Sequence, residues 1–132
     1  MDVAQALSEL TELSSQVERA VVLDLDGSVL GSTLDNAAAG ELLAEAAREL
    51  LAAAGELRPS GDEVTRAEVE LSEGALFVLR EGGRTIAATT GPKPTAGLVA
   101  YDLRTCLHGL GEPEKPKRKR TTRKAKEEAP DR

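Results

Sequence analysis

A chain of 132 residues suits one domain with a modest core, and its 40% hydrophobic content is nearly all Ala, Leu and Val, with one Phe, one Tyr and no Trp, so an aromatic ligand pocket or base-stacking platform is not expected. The net charge of −6 divides into −10 over residues 1–111 and +4 over residues 112–132, which gives the two parts opposite electrostatic tendencies. One cysteine excludes an internal disulfide, and the acidic start MDVAQALSEL and the lack of any apolar run near the ~18 residues of a bilayer span predict a soluble, cytoplasmic protein.

In chain order, Val3, Leu7, Leu10, Leu13 and Val17 fall at helical spacing, with Glu9, Glu12 and Gln16 on other faces, which predicts an amphipathic first helix. In AVVLDLDGSVLGSTL, Val21, Leu23 and Leu25 alternate against Val22, Asp24 and Asp26. Asp26-Gly27 then turns the chain into a second strand running to Leu34. Asp35 or Asn36 supplies an N-cap for a long helix over 36–55, closed by Gly55. Leu42, Leu43, Ala46, Ala47, Leu50, Leu51 and Ala54 form two adjacent apolar stripes on it and leave a narrow polar side of Glu41, Glu45, Arg48 and Glu49. A helix this apolar has a second surface to bury, and self-association is the favoured reading over a helix sandwiched within its own domain.

After the loop GELRPSGDE, strands are predicted at 64–71, 75–80 and 84–90. The turns Ser72-Glu73-Gly74 and Glu81-Gly82-Gly83 make them an antiparallel meander. The first has one wet face, with Arg66, Glu68 and Glu70 opposing Ala67, Val69 and Leu71, whereas ALFVLR is apolar on both faces and reads as a central strand. A last helix over 96–110 follows, with Ala96, Val99, Leu103, Leu107 and Leu110 on its inner face. The order α-β-β-α-β-β-β-α predicts an α+β fold in which helices cover one antiparallel sheet. From Glu112 onward, prolines and charge blocks with no apolar periodicity predict a disordered tail. The predicted division is a domain over 1–111 and a tail over 112–132.

Several local motifs admit both a chemical reading and a plainer one. Asp24-Leu25-Asp26-Gly27-Ser28 looks like the nucleophile motif of haloacid-dehalogenase-type phosphatases. That chemistry needs a further Lys and acidic pair on a parallel sheet, and Lys93 is the one Lys before the tail, so an Asp-Gly hairpin turn is favoured. Cys106 and His108 lie two residues apart on different faces of a helix, a poor start for a metal site or a Cys–His pair. No catalytic residue, metal or cofactor is assigned. The tail is the sharpest local feature: Lys115, Lys117, Arg118, Lys119, Arg120, Arg123, Lys124 and Lys126 fall in a stretch without an acid. Such a run can contact nucleic acid, anionic membrane or an acidic protein face, or fold back on the acidic domain. With no aromatic to stack on bases, nucleic-acid binding would be independent of sequence and sensitive to salt.

The succession of an opening helix, AVVLDLDGSVL, an Ala/Leu-rich second helix, LFVLREGGRTIAATT and AGLVAYDLRTCLHGL resembles the Roadblock/dynein light-chain domain family over residues 3–110. The resemblance implies a five-stranded sheet with the two-stranded hairpin beside the last strand of the meander. It also implies a homodimer in which the long helix and the strand 64–71 meet their symmetry mates. Bacterial members of the family look like non-enzymatic regulators or scaffolds of small Ras-like GTPases, which they engage as dimers without inserting an arginine finger. The residues expected at the dimer interface are Leu43, Ala47, Leu50, Leu51, Ala54, Val69 and Leu71. The alternative function is an adaptor for nucleic acid or anionic membrane that works through paired basic tails.

Overall fold

The computed structural model describes residues 2–57 and 64–110. The elements run α1 (Val3–Leu13), β1 (Val17–Leu23), β2 (Val29–Ser32), α2 (Ala37–Gly55), β3 (Arg66–Leu71), β4 (Gly74–Glu81), β5 (Arg84–Thr90) and α3 (Ala96–Gly109). This is the predicted α+β order. The strands form one five-stranded sheet in the order β2-β1-β5-β4-β3, with every neighbouring pair antiparallel. The hairpin therefore sits beside the meander's last strand, as the family resemblance implies. The tail 112–132 and its eight predicted contact residues lie outside the described residues, as does most of the loop GELRPSGDE.

Helices cover both faces of the sheet. On one face α1 and α3 pack over Ala20, Val22, Phe77, Leu79, Ile86 and Ala88. On the other, α2 packs over Val21, Leu23, Val78 and Ala87. Alternate residues of each central strand thus enter opposite cores, the period-2 rule applied to a strand wet on neither side. Ala44 and Ala47 of α2 have no exposed surface and meet Ala87 and Val21 in that cluster, so small side chains on both layers let the helix lie close to the sheet.

Strand β3 opens at Arg66 rather than at 64, and boundaries shift at α1 and at the first hairpin for identifiable reasons. Helix α1 stops at Leu13, and Val17 opens β1 instead of extending the helix. Ser14 makes the break: its backbone is extended (φ −96°, ψ 120°), and its hydroxyl accepts from the amides of Gln16 and Val17 at 3.3 Å each. Val17 is buried in the same cluster as Leu7 and Leu10, so its position in the apolar pattern is compatible with either element. The second shift is in the hairpin. Strand β1 ends at Leu23, and Leu25 is 71% exposed in the turn rather than third in an inward-facing row. Strand β2 is shorter than predicted and ends at Ser32.

Caps and turns follow local chemistry. The Asp2 carboxylate accepts from the Gln5 amide at 2.8 Å, and Asn36, one of the two predicted caps of α2, accepts from the Ala39 amide at 2.8 Å. Gly82 and Gly83 have φ of +64° and +84°, the paired left-handed conformation that a tight β4–β5 hairpin demands.

Candidate functional site

Helix α2 and strand β3 border one face of the molecule. Strand β3 ends the sheet, and among the described residues it pairs with β4 alone. Its outer edge therefore offers backbone donors and acceptors for another strand. Ala67, Val69 and Leu71 alternate with Arg66, Glu68 and Glu70. Ala67 packs toward the α2 cluster, while Arg66 and Glu68 pair with each other. Leu71, at the end of the strand, is 63% exposed.

The seven residues expected at a dimer interface occupy three environments. Ala47 and Leu51 are buried in the protomer's own core. Leu43 and Leu50 are half-buried against that core, and Ala54 and Val69 are also half-buried. Leu71 is exposed. The outward strip of α2 is instead formed by Leu42, Ala46, Glu49 and Ala53, at spacings of four, three and four residues, with Leu42 70% exposed. Leu42 and Ala46 belong to the two apolar stripes read from the sequence, but helical period alone does not say which stripe faces the sheet.

The Asp-Gly turn borders a cleft of about 340 Å³ whose wall includes Arg48 and Arg80. Its carboxylates are engaged within the turn. Asp24 accepts from the Leu25 amide at 2.8 Å, and Asp26 accepts from the Ser28 amide at 2.9 Å and the Ser28 hydroxyl at 2.7 Å. The Ser28 hydroxyl and then its amide hold the Asp26 carboxyl below the usual range. Arg48 donates to the Gly27 carbonyl at 2.5 Å and pairs with Glu41, which ties the turn to α2. These are the bonds of a structural hairpin. The sheet is antiparallel rather than parallel, Lys93 does not line the cleft, and among the described residues no cluster of His, Cys, Asp and Glu could hold a metal ion.

A groove of about 430 Å³ runs between α1 and α3 on the opposite face of the sheet. Cys106 lies at its base, its thiol donating to the Ala6 carbonyl at 3.6 Å. Burial, followed by the negative charge of Glu9, pushes that thiol up to about 11. His108 points elsewhere: its Nε2 is 3.1 Å from a Glu81 carboxylate oxygen, and Arg104 lies 3.5 Å from the other. Cysteine and histidine are thus held on separate partners, in keeping with their placement on different helix faces.

Among the described residues the molecule offers an open strand edge, an exposed and mostly apolar helix strip, and a sheet covered on both sides. A sequence model of the Roadblock/LC7 domain matches residues 3–90. The chain belongs to the Roadblock/LC7 family. Solved structures share the fold. The Roadblock/LC7 domain from Streptomyces avermitilis is 24% identical with a TM-score of 0.72, the match covering 83% of this chain and 95% of that one. MglB from Myxococcus xanthus is 15% identical with a TM-score of 0.63, covering 82% and 84%. An MglB with a tetrameric arrangement is 17% identical with a TM-score of 0.61, also covering 82% and 84%. No curated protein matches the chain. Roadblock/LC7 membership supports a regulatory or adaptor role, and no helix among the described residues is long and apolar enough to cross a membrane.

Proposed function

We propose that this Roadblock/LC7 protein is a non-enzymatic homodimer that binds a small Ras-like GTPase and modulates its activity or assembly. The observation that carries the reading is the outer edge of β3, which pairs with no further strand among the described residues, on a chain whose helix α2 keeps Leu42, Ala46 and Ala53 exposed. Antiparallel pairing of two β3 edges joins two five-stranded sheets and brings two α2 helices side by side. Leu42, Leu43, Leu50, Ala54, Val69 and Leu71 then surround the junction, while Ala47 and Leu51 act from within by fixing α2 on its own sheet. The tetrameric arrangement of MglB is a precedent for self-association within this fold.

Sedimentation velocity at micromolar concentration tests the dimer. The expected result is a dimer for the native chain and a monomer with unchanged circular dichroism for Val69→Lys combined with Leu71→Lys. A native chain that sediments as a monomer overturns the reading. For the GTPase, retention of a Ras-like GTPase by the dimer, with hydrolysis rates measured in the presence and absence of this protein, separates a regulator from a scaffold.

A second reading draws on the run from Lys115 to Lys126. Two such tails on one dimer act as an adaptor for nucleic acid or anionic membrane, gaining avidity from their linkage. Binding to either polyanion at low salt is the expected outcome, and its absence for both removes this reading.

A further inference from the structure

The α1–α3 groove lies on the sheet face away from α2, so the proposed dimer leaves it open. Its lining includes Glu9 and Leu13 of α1 and Tyr101, Asp102 and Gly109 of α3. Leu13 is 76% and Tyr101 62% exposed, which places two large apolar side chains in water on one surface. Two carboxylates stand beside them, and among the described residues no basic side chain lines the groove. Arg104 and His108 of α3 are turned away, since both engage Glu81 on β4. The charge of Glu9 reaches the base of the groove, where it helps hold the Cys106 proton.

The chain itself supplies a complementary segment. Helix α3 ends at Gly109, one of the groove's lining residues, and the sequence continues through Gly111-Glu112-Pro113-Glu114 into Lys115–Lys126, which holds eight cations and no acid. The run of α3 from Gly109 back to Tyr101 spans roughly 12 Å at 1.5 Å per residue. Four extended residues reach roughly 13 Å, so every point between Gly109 and Tyr101 is within reach of Lys115 and the cations that follow it. The carbonyl end of α3 favours cations where the chain turns back. The exposed Tyr101 ring suits an ammonium or guanidinium over its face, and the methylene stems of Lys and Arg suit Leu13.

We propose that the basic segment Lys115–Lys126 docks within its own chain in the α1–α3 groove, its cations paired with Glu9 and Asp102 and its stems laid over Leu13 and Tyr101. Tethering sets the effective concentration near the millimolar range, so a contact weak between separate molecules is well populated within one. A docked segment is withheld from polyanions until salt or a stronger polyanion displaces it, which makes the groove a competitor for whatever the tail binds.

Paramagnetic relaxation on the full chain tests the contact. A nitroxide is placed on Thr122→Cys in a Cys106→Ala background. At low salt the amide signals of Glu9, Leu13, Tyr101 and Thr105 are expected to lose more than half their intensity, while those of α2 and β3 keep theirs. The loss is expected to vanish in ~1 M NaCl, where screening acts within about 3 Å, and in the Glu9→Lys/Asp102→Lys variant. Broadening that is absent at low salt, spread evenly over the surface or centred on another face overturns the proposal. So does broadening of equal size when the label and the isotope sit on different chains. The unsubstituted isotope-labelled chain gives an independent readout: between low and high salt the amides of Lys115–Lys126 and of Glu9 and Tyr101 are expected to shift together, and groove amides that stay still overturn the docking.

Discussion

The Cys106 thiol is raised from the ordinary 9.0 to about 11, first by burial and then by Glu9, so the folded state keeps a proton that the unfolded state has released. Between pH 9 and 11 the unfolded chain binds fewer protons than the folded one, and stability falls as pH rises through that window. The urea midpoint of the native chain is expected to drop more steeply over this range than that of Cys106→Ala. Equal slopes for the two proteins count against the raised thiol. Backbone packing gives a second contrast at this scale. A Cβ on Gly74 would lie 2.3 Å from the Thr90 carbonyl oxygen, whereas one on Gly97 in α3 meets nothing within 4 Å. Gly74→Ala is expected to destabilise the fold by about 1–3 kcal/mol through forced separation of β4 from β5. Gly97→Ala is expected to stabilise it by roughly 0.4–1 kcal/mol by restricting the unfolded chain. Urea denaturation measures both, and a neutral Gly74→Ala contradicts the close approach.

Helix α2 presents chemically identical residues to different surroundings. Leu51 is buried over the sheet, and Leu42, nine positions earlier, is 70% exposed. Leu51→Ala is expected to cost about 2–5 kcal/mol through lost burial and a residual cavity. Leu42→Lys is expected to stay within roughly 0.5 kcal/mol for the monomer, and urea unfolding of both variants at low protein concentration checks the difference. The existence of this helix and a cap at Asp35 or Asn36 were legible in the sequence, because capping and apolar period are local; the structure selects Asn36. Which of its stripes lies inward was not, because Leu42 and Leu51 differ in neighbours brought from β1, β4 and β5 rather than in chemistry. Elements β1 and α1 make the same point: Val17 fits the helical period of α1, yet the Ser14 hydroxyl satisfies the amides that would have continued the helix.

The whole molecule joins an acidic described domain to a basic run, and its electrostatics carry the last prediction. Eight cations between Lys115 and Lys126 bound the number of phosphates contacted, so log K for a single-stranded oligonucleotide is expected to fall with log salt at a slope no steeper than about −6, at about −0.7 per contact. Filter-binding titrations across salt concentrations measure it, and binding that ignores salt excludes the run as the contact. Much at this scale was set by sequence alone. The α-β-β-α-β-β-β-α order, the glycine pair at Gly82-Gly83, the two-sided β4 and the charge division at residue 111 follow from propensity, turn chemistry and composition, which act over a few residues at a time. Tertiary structure decided what those signals leave degenerate. Packing against a sheet assembled from distant segments drew Ala47 and Leu51 into the core, left Leu42 and Leu71 outward, held Cys106 and His108 on separate partners, and placed the acidic groove between α1 and α3. Such outcomes depend on which surfaces meet across the fold, and only the assembled sheet with its two helix layers determines that.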